Sequence, residues 1–304
     1  LKGVGGGRGL GDYLSSNMEA LKTAPLRLQA RGLCYSYPDG TYALKGIDID
    51  IYEGDFIGFL GANGSGKTTL LKALDGIIKN IKGTVTLDGA NIKTLSARDI
   101  YRKVGLVFQN PDDQLFASTV FDDVAFGPLN MGFDEEDVKR RVQEALKEVE
   151  MEHMAGRPIH NLSYGQKKRV CIAGLLAMGQ EILLLDEPTA GLDPSGEYKM
   201  MGLLTRLNRE CKVTIVMATH SVDLIPLFLD RLYILSNGTI LKGGAPEEIF
   251  TTPEDMKDVR LRLPQVAELI YALKHEDNLP FSRVPLTVGE ARREILNMVK
   301  KGDL

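Results

Sequence analysis

Apolar and polar positions alternate with period two in two early segments, Leu26, Leu28 and Ala30 in the first, and Ile47, Ile49 and Ile51 against Asp48, Asp50 and Tyr52 in the second. Period two puts every other side chain on one face, so both segments predict half-buried strands of an antiparallel N-terminal β layer. The pattern then changes: Phe56-Ile57-Gly58-Phe59-Leu60 runs apolar without alternation and leads into a glycine-rich turn. Such a run predicts a strand covered on both faces, followed by a helix starting near Gly66, the first half of a βα unit whose chemistry sits at the strand's carboxyl end. Residues 84–87 with Asp88-Gly89 predict a hairpin strand, and Val104 to Phe108 a further buried strand ending at Gln109.

From Asn110 to about Met178 the spacing is helical, with Val138, Val142, Leu146 and Val149 on one face. Phe133, Asp134, Asp137 and Val138 fit a capping box with a hydrophobic staple, predicting a helix from Asp134. Short apolar strands return at Ile182 to Leu185, Val213 to Ala218 and Leu232 to Leu235, and Ser236-Asn237-Gly238-Thr239 predicts a hairpin turn. The fold class is therefore α/β: a mostly parallel sheet with an antiparallel β layer over 25–245, interrupted by a helical subdomain at about 110–178. Beyond Pro246, Leu261-Arg262-Leu263-Pro264 and Val284 to Glu290 predict a small helical extension over 246–304. Residues 1–24, opening on Leu1 and Lys2-Gly3-Val4-Gly5-Gly6-Gly7-Arg8-Gly9, have no apolar core and read as a flexible leader, with Met18, or Leu1 through a non-standard codon, the candidate native start.

Length and charge narrow the function. At 304 residues the chain has room for about two units of roughly 150. A net charge of −4 excludes a general nucleic-acid coat and an acidic tail. No apolar run approaches the ~18 residues that span a bilayer. Cys34, Cys171 and Cys211 lie far apart without C-x-x-C spacing, which excludes a disulfide scaffold and fits a reducing cytosol. His153, His160, His220 and His275 show no metal-ligand spacing, so the residues themselves name no metal cargo.

The candidate chemistry begins with Gly61-Ala62-Asn63-Gly64-Ser65-Gly66-Lys67-Thr68, a G-x-x-x-x-G-K-[ST] sequence placed after a buried strand and before a helix. Glycines let backbone N–H groups curl round phosphate oxygens, Lys67 reaches the β and γ phosphates, and the Thr68 hydroxyl ligates Mg²⁺. Ile182-Leu183-Leu184-Leu185-Asp186-Glu187 supplies carboxylates at a strand end, Asp186 for Mg²⁺ and Glu187 to polarise the attacking water. Leu162-Ser163-Tyr164-Gly165-Gln166 opens an apolar helix with Ser163 as N-cap, a second helix start available to an anion. Gln109 and His220 end two further strands, and Asp193 follows Asp186-Glu187 in the next turn. A γ-phosphate on the first loop can be gripped by the second site of a facing copy, making ATP the glue of a dimer.

In this order the features resemble the ATP-binding cassette (ABC) ATPases over about residues 26–245. The resemblance implies an ABC-type P-loop core with a helical signature subdomain. Tyr37 then matches the adenine-stacking aromatic, Gly61 to Thr69 the Walker A loop, Gln109 the Q-loop glutamine that also reaches Mg²⁺, and Ser163, Tyr164, Gly165 and Gln166 the signature. Asp186 matches the Walker B aspartate, Glu187 the catalytic carboxylate, Asp193 the D-loop and His220 the switch histidine. The family carries Gly where this chain has Tyr164, and a residue needing φ > 0 there would be strained as tyrosine.

Val107 to Phe116, Asp123 to Pro128, Gln166-Lys167-Lys168-Arg169-Val170 and Thr219 to Pro226, with the two tail segments, resemble the energy-coupling-factor (ECF) importers and, within them, the cobalt-import ATPases of CbiO type. This resemblance implies ATP and Mg²⁺ as cofactors, a second ATPase subunit, an integral membrane coupling protein, a membrane substrate-capture component, and a peripheral place at the cytoplasmic face of the cell membrane. One complete motif set permits a homodimer, and the segment after Gln109, including Asp112 and Asp113, is the expected dock. Nickel or a vitamin is the alternative cargo. A soluble ABC ATPase working on nucleic acid or ribosomes is the rival reading; Lys167-Lys168-Arg169 reads as a solvated helix face rather than a nucleic-acid contact.

Overall fold

The computed structural model describes residues 24–302; the predicted leader lies outside them except for its last residue. Among the described residues there are ten strands: β1 (Leu26–Ser36), β2 (Tyr42–Tyr52), β3 (Phe56–Leu60), β4 (Lys82–Leu87), β5 (Ala90–Asn91), β6 (Val104–Val107), β7 (Ile182–Asp186), β8 (Thr214–Thr219), β9 (Arg231–Ser236) and β10 (Thr239–Gly244). They form two sheets, one of order β2-β1-β4-β5 and one of order β10-β9-β3-β8-β7-β6. The first is antiparallel throughout. In the second, β9, β3, β8, β7 and β6 run parallel and β10 closes one edge antiparallel. The sequence pattern anticipated both layers.

The unbroken apolar run of β3 has a simple cause. Ile57 and Phe59 point into a core shared with β1, β2 and β4, whereas Phe56 and Leu60 point into a second core on the other face of the parallel sheet. Helix α1 (Lys67–Leu74) belongs to the first core through Leu70, Leu71, Ala73 and Leu74. The second core collects the helical insertion: α2 (Val120–Asn130), α3 (Glu135–Glu148) and α4 (Tyr164–Ala177), and after it α5 (Pro194–Arg209).

Asp134 caps α3 by accepting from the Asp137 N–H at 2.9 Å. Only half of the predicted box forms, because the Asp137 carboxylate pairs with Arg140 at 2.8 Å instead of returning to the cap. Phe133 and Val138 do join one core, as a staple requires. The extension comprises α6 (Gln265–His275) and α7 (Val288–Lys301) with short helical turns before them. It has a small core of Ile270, Phe281, Ala291 and Met298. Ile249, Phe250, Met256, Leu263, Ala267 and Leu286 nevertheless bury in the main core, and Arg262 and the Gln265 N–H both bind Asp223. The tail is thereby fastened to the segment just beyond His220.

Candidate functional site

Parallel pairing gathers the predicted residues at one edge. Leu60 lies beside Thr219, Asp186 beside Ala218, and Leu185 beside Val107. The loop after β3, the carboxylates ending β7, His220 after β8 and Gln109 after β6 therefore leave the sheet side by side. Chain distances of more than a hundred residues collapse because the strand order skips back and forth.

The loop owes its shape to glycine. Gly64 and Gly66 have φ of +80° and +107°, and a Cβ on Gly66 would stand 2.6 Å from the Ala43 carbonyl oxygen. Around Gly64 there is open space within 4 Å, so the loop is jammed against its own strands behind and open in front. Gly66 caps α1 without any side-chain hydrogen bond, which leaves the first-turn N–H groups facing the loop. Ala62 and Asn63 form its rim, half-buried and exposed.

Lys67 is buried, and its ammonium donates to the carbonyls of Gly61 at 2.7 Å and Ala62 at 3.2 Å while lying 3.9 Å from Glu187 Oε1. Burial lowers its pKa, and the Glu187 and Asp186 charges oppose that. Thr68 Oγ1 donates to Asp186 Oδ2 at 2.7 Å. Burial raises the Asp186 pKa against that bond. Glu187 sits at φ +50°, and His220 Nδ1 approaches its Oε2 to 2.9 Å, off the line of a good hydrogen bond. Ser65 Oγ, Asp186 Oδ1 and Glu187 Oε2 are all buried without a hydrogen-bond partner. Orphaned oxygens of this kind want a cation and a donor, and the hard hydroxyl and carboxylate oxygens of Thr68 and Asp186 suit Mg²⁺.

Tyr37 is 39 % exposed and so is not a core aromatic of its strand layer. Its hydroxyl shares a 2.8 Å hydrogen bond with Thr69 Oγ1, and its ring meets Tyr35 edge-on at 5.0 Å. The ring is thus braced beside the start of α1. Gln109 is exposed and its backbone carbonyl, not its side chain, is engaged, accepting from the Tyr164 hydroxyl at 3.1 Å.

The signature residues stand on α4. Ser163 caps the helix through a capping box with Gln166, whose Oε1 accepts from the Ser163 N–H at 2.8 Å. No hydrogen bond among the described residues joins Ser163 to Gln166 with the Gly61 to Thr69 loop. The anticipated strain at Tyr164 is absent: the residue lies in the first turn of α4 and is not among those with positive φ. Asp193 caps α5, accepting from the Gly196 N–H at 2.6 Å.

A family model described as ABC transporter matches residues 44–190. A putative ABC transporter ATP-binding protein of Geobacter sulfurreducens is 66 % identical over 266 residues, 88 % of this chain and 95 % of that protein. The energy-coupling factor transporter ATP-binding protein EcfA of Methanocaldococcus jannaschii is 49 % identical over 276 residues, 90 % of this chain and 98 % of that protein. The chain belongs to the ATP-binding subunits of ECF-type ABC transporters. CbiO1 from Clostridium perfringens, part of the ABC transporter complex CbiONQ, superposes with a TM-score of 0.71 at 42 % identity, over 81 % of this chain and 99 % of that one. A bacterial ABC transporter cassette solved as a dimer gives 0.65 at 30 % identity, over 72 % and 98 %.

In this ABC ATPase subunit the charge run 167–169 is not the solvated face expected of it. Lys167 pairs with Asp112 at 2.6 Å, Lys168 is buried with its ammonium on the Glu187 carbonyl at 2.6 Å, and Arg169 binds the Val149 carbonyl and Glu150. Asp112, expected to face a partner, keeps its side chain 56 % exposed beside Lys167. Lys168 and Gly191 escaped sequence reasoning. The available signal was Lys168 itself, a charge on the stripe that continues into Cys171, Ile172 and Leu175, all buried.

Proposed function

We propose that this ECF-type subunit hydrolyses ATP to energise import of a transition-metal ion, cobalt first, working as a pair of subunits beneath an integral membrane coupling protein and a separate substrate-capture component. The observation that carries the ATP half is the convergence of Lys67, Thr68, Asp186, Glu187 and His220 around buried oxygens with no protein partner. Bound Mg²⁺, held by Thr68 and Asp186 with Gln109 near, supplies charge neutralisation for the phosphates. Lys67 turns its ammonium from the loop carbonyls to the β and γ phosphates. Glu187 takes the proton of the attacking water, and His220 orients the γ-phosphate. Tyr37 receives adenine. Pairing is supported by the likeness to a bacterial ABC transporter cassette solved as a dimer, and on this reading a facing copy supplies Ser163 to Gln166.

Cobalt is supported by the likeness to CbiO1 alone; nickel or a vitamin leaves the same ATPase reading intact. No helix among the described residues is long and apolar enough to cross a membrane, so transport requires a membrane partner. The proposed dock is the helical insertion after Gln109, where Phe116, Phe126 and Leu129 stand exposed and the two phenyl rings meet edge-on at 4.6 Å. A peripheral place at the cytoplasmic face of the membrane follows from that docking.

The test traps tagged Glu187→Gln protein with ATP in native membranes and identifies by mass spectrometry what co-purifies. Recovery of an integral coupling protein with a metal-binding membrane component is the expected result. Ribosomal or DNA-bound proteins without membrane partners would overturn it in favour of the soluble rival.

A further inference from the structure

Lys168 is 1 % exposed, and no carboxylate lies within ion-pairing distance of it among the described residues. Lysines are almost never buried so completely without a partner charge, because desolvation of the ammonium is costly. Its one hydrogen bond explains the placement: Nζ donates at 2.6 Å to the backbone carbonyl of Glu187. Burial accordingly pulls its pKa down to about 8.

Glu187 is the place where such a contact matters. At φ +50° it occupies a backbone region that side chains bearing a Cβ rarely adopt and that persists where the surroundings over-determine it. Its N–H is pinned to the Ala218 carbonyl at 3.0 Å, and its C=O accepts from Lys168 Nζ at 2.6 Å and from the Ala190 N–H at 3.1 Å. With both peptide groups fixed, the direction of the Cα–Cβ bond is set, and the carboxylate lies beside His220 and Lys67.

Four residues before Lys168, on the same face of α4, stands Tyr164. The Lys168 ammonium lies 5.2 Å from its ring centroid, a cation–π distance. The ring also closes on Gly191, where an added Cβ would come within 3.0 Å of Tyr164 Cε1. Its hydroxyl holds the Gln109 carbonyl, and the neighbouring Lys167 holds Asp112. One helix turn thus grips the segment after β6, the turn after β7, and the backbone of Glu187. That turn begins at Ser163, the cap of the helix.

We propose that Tyr164 and Lys168 form a positioning relay through which ATP of the opposing subunit, seated on Ser163 to Gln166, sets the geometry of Glu187 and Gln109 in the subunit's own site. The proposal deepens the dimeric ATPase reading and rests on it. Tyr164 is then the working residue of this chain's signature rather than a blemish in it. A glycine at that position has neither ring nor hydroxyl with which to make the connection.

The experiment measures ATP turnover against ATP concentration, and the unfolding temperature, for the full-length subunit in its membrane complex. Four proteins are compared: wild type, Lys168→Met, which removes the donor; Lys168→Gln, which keeps an N–H donor without the charge; and Tyr164→Phe, which keeps the ring without the hydroxyl. Expected for Lys168→Met is a fall in kcat of at least about tenfold, with KM for ATP within about twofold and no loss of unfolding temperature, because a buried charge has been removed. Lys168→Gln recovers kcat to within about threefold of wild type, since the carbonyl regains a neutral side-chain hydrogen bond beside the one from the Ala190 N–H. Tyr164→Phe keeps KM and lowers the Hill coefficient for ATP toward one, since the two sites no longer communicate through Gln109. The relay is overturned if Lys168→Met turns over within twofold of wild type, if Met and Gln lose activity equally alongside a lowered unfolding temperature, or if Tyr164→Phe keeps wild-type cooperativity. Should the Met variant fail to fold, Tyr164→Phe decides alone. A wild-type complex with no turnover sensitive to Glu187→Gln would instead refute the hydrolytic reading beneath the relay.

Discussion

Asp75 ends helix α1, the helix whose first turn carries Lys67 and Thr68, and its side chain is 4 % exposed with Oδ1 lacking any partner. A carboxylate there is desolvated and also sits at the negative end of the helix dipole. Burial raises its pKa from the ordinary 3.8 to about 8. The native protein therefore holds a proton between those values that the unfolded chain releases. Unfolding is favoured by that release, so stability is greatest at acid pH and falls as pH rises toward 8, after which both states are ionised and the slope ends.

Each pH unit inside the window is worth about 1.4 kcal/mol, or about 4 kcal/mol between pH 5 and pH 8. Partial relaxation and water entry reduce this, so about 2–4 kcal/mol is the expected change. Replacing Asp75 by Asn removes the titrating proton at nearly constant shape. Urea unfolding of both proteins at pH 5 and pH 8 gives two stability differences, and the gap in favour of Asp75→Asn should widen by that amount at the higher pH. A difference constant within about 0.5 kcal/mol across the two conditions would refute the reasoning, since a purely steric or hydrogen-bond effect carries no pH slope.

Two other perturbations test the frame around the site. Arg231 from β9 is the ion-pair partner of Asp55, which is fully buried between the two sheets. Arg231→Met leaves that carboxylate with the Tyr52 N–H at 2.6 Å but no counter-charge, and a loss of about 3–5 kcal/mol is expected in denaturant unfolding; a loss below about 1 kcal/mol would mean that this bond, with water, suffices for Asp55. Tyr37→Ala should weaken ATP binding by roughly three- to tenfold, the worth of about one aromatic stack, while Tyr37→Phe stays within about twofold. Equal affinities for the two variants in a nucleotide titration would remove Tyr37 from the adenine contact.

The local decisions were written in the residues themselves. Alternation in β1 and β2 and the solid apolar runs of β3, β7 and β8 gave their layer, because a strand's period reports how many of its faces are covered. The phosphate loop was equally legible: only glycine tolerates φ of +80° and +107° at its turns, and Lys67 and Thr68 follow at the helix start. Asp134 and Ser163 as helix caps depend on the first few residues of each helix and were anticipated for the same reason.

What tertiary structure alone decided was partnership across the chain. Strand order placed Thr68 on Asp186 and His220 against Glu187, contacts spanning up to 118 residues. It turned Lys167-Lys168-Arg169, by composition a solvated run, into three separate intramolecular ties. It made Tyr164 an ordinary helical residue with work for its hydroxyl, where the motif alone suggested strain. Backbone preferences act over a turn and can be read locally; a buried charge is decided by whichever carbonyl or carboxylate the fold brings within about 3 Å, and that neighbour is remote in sequence.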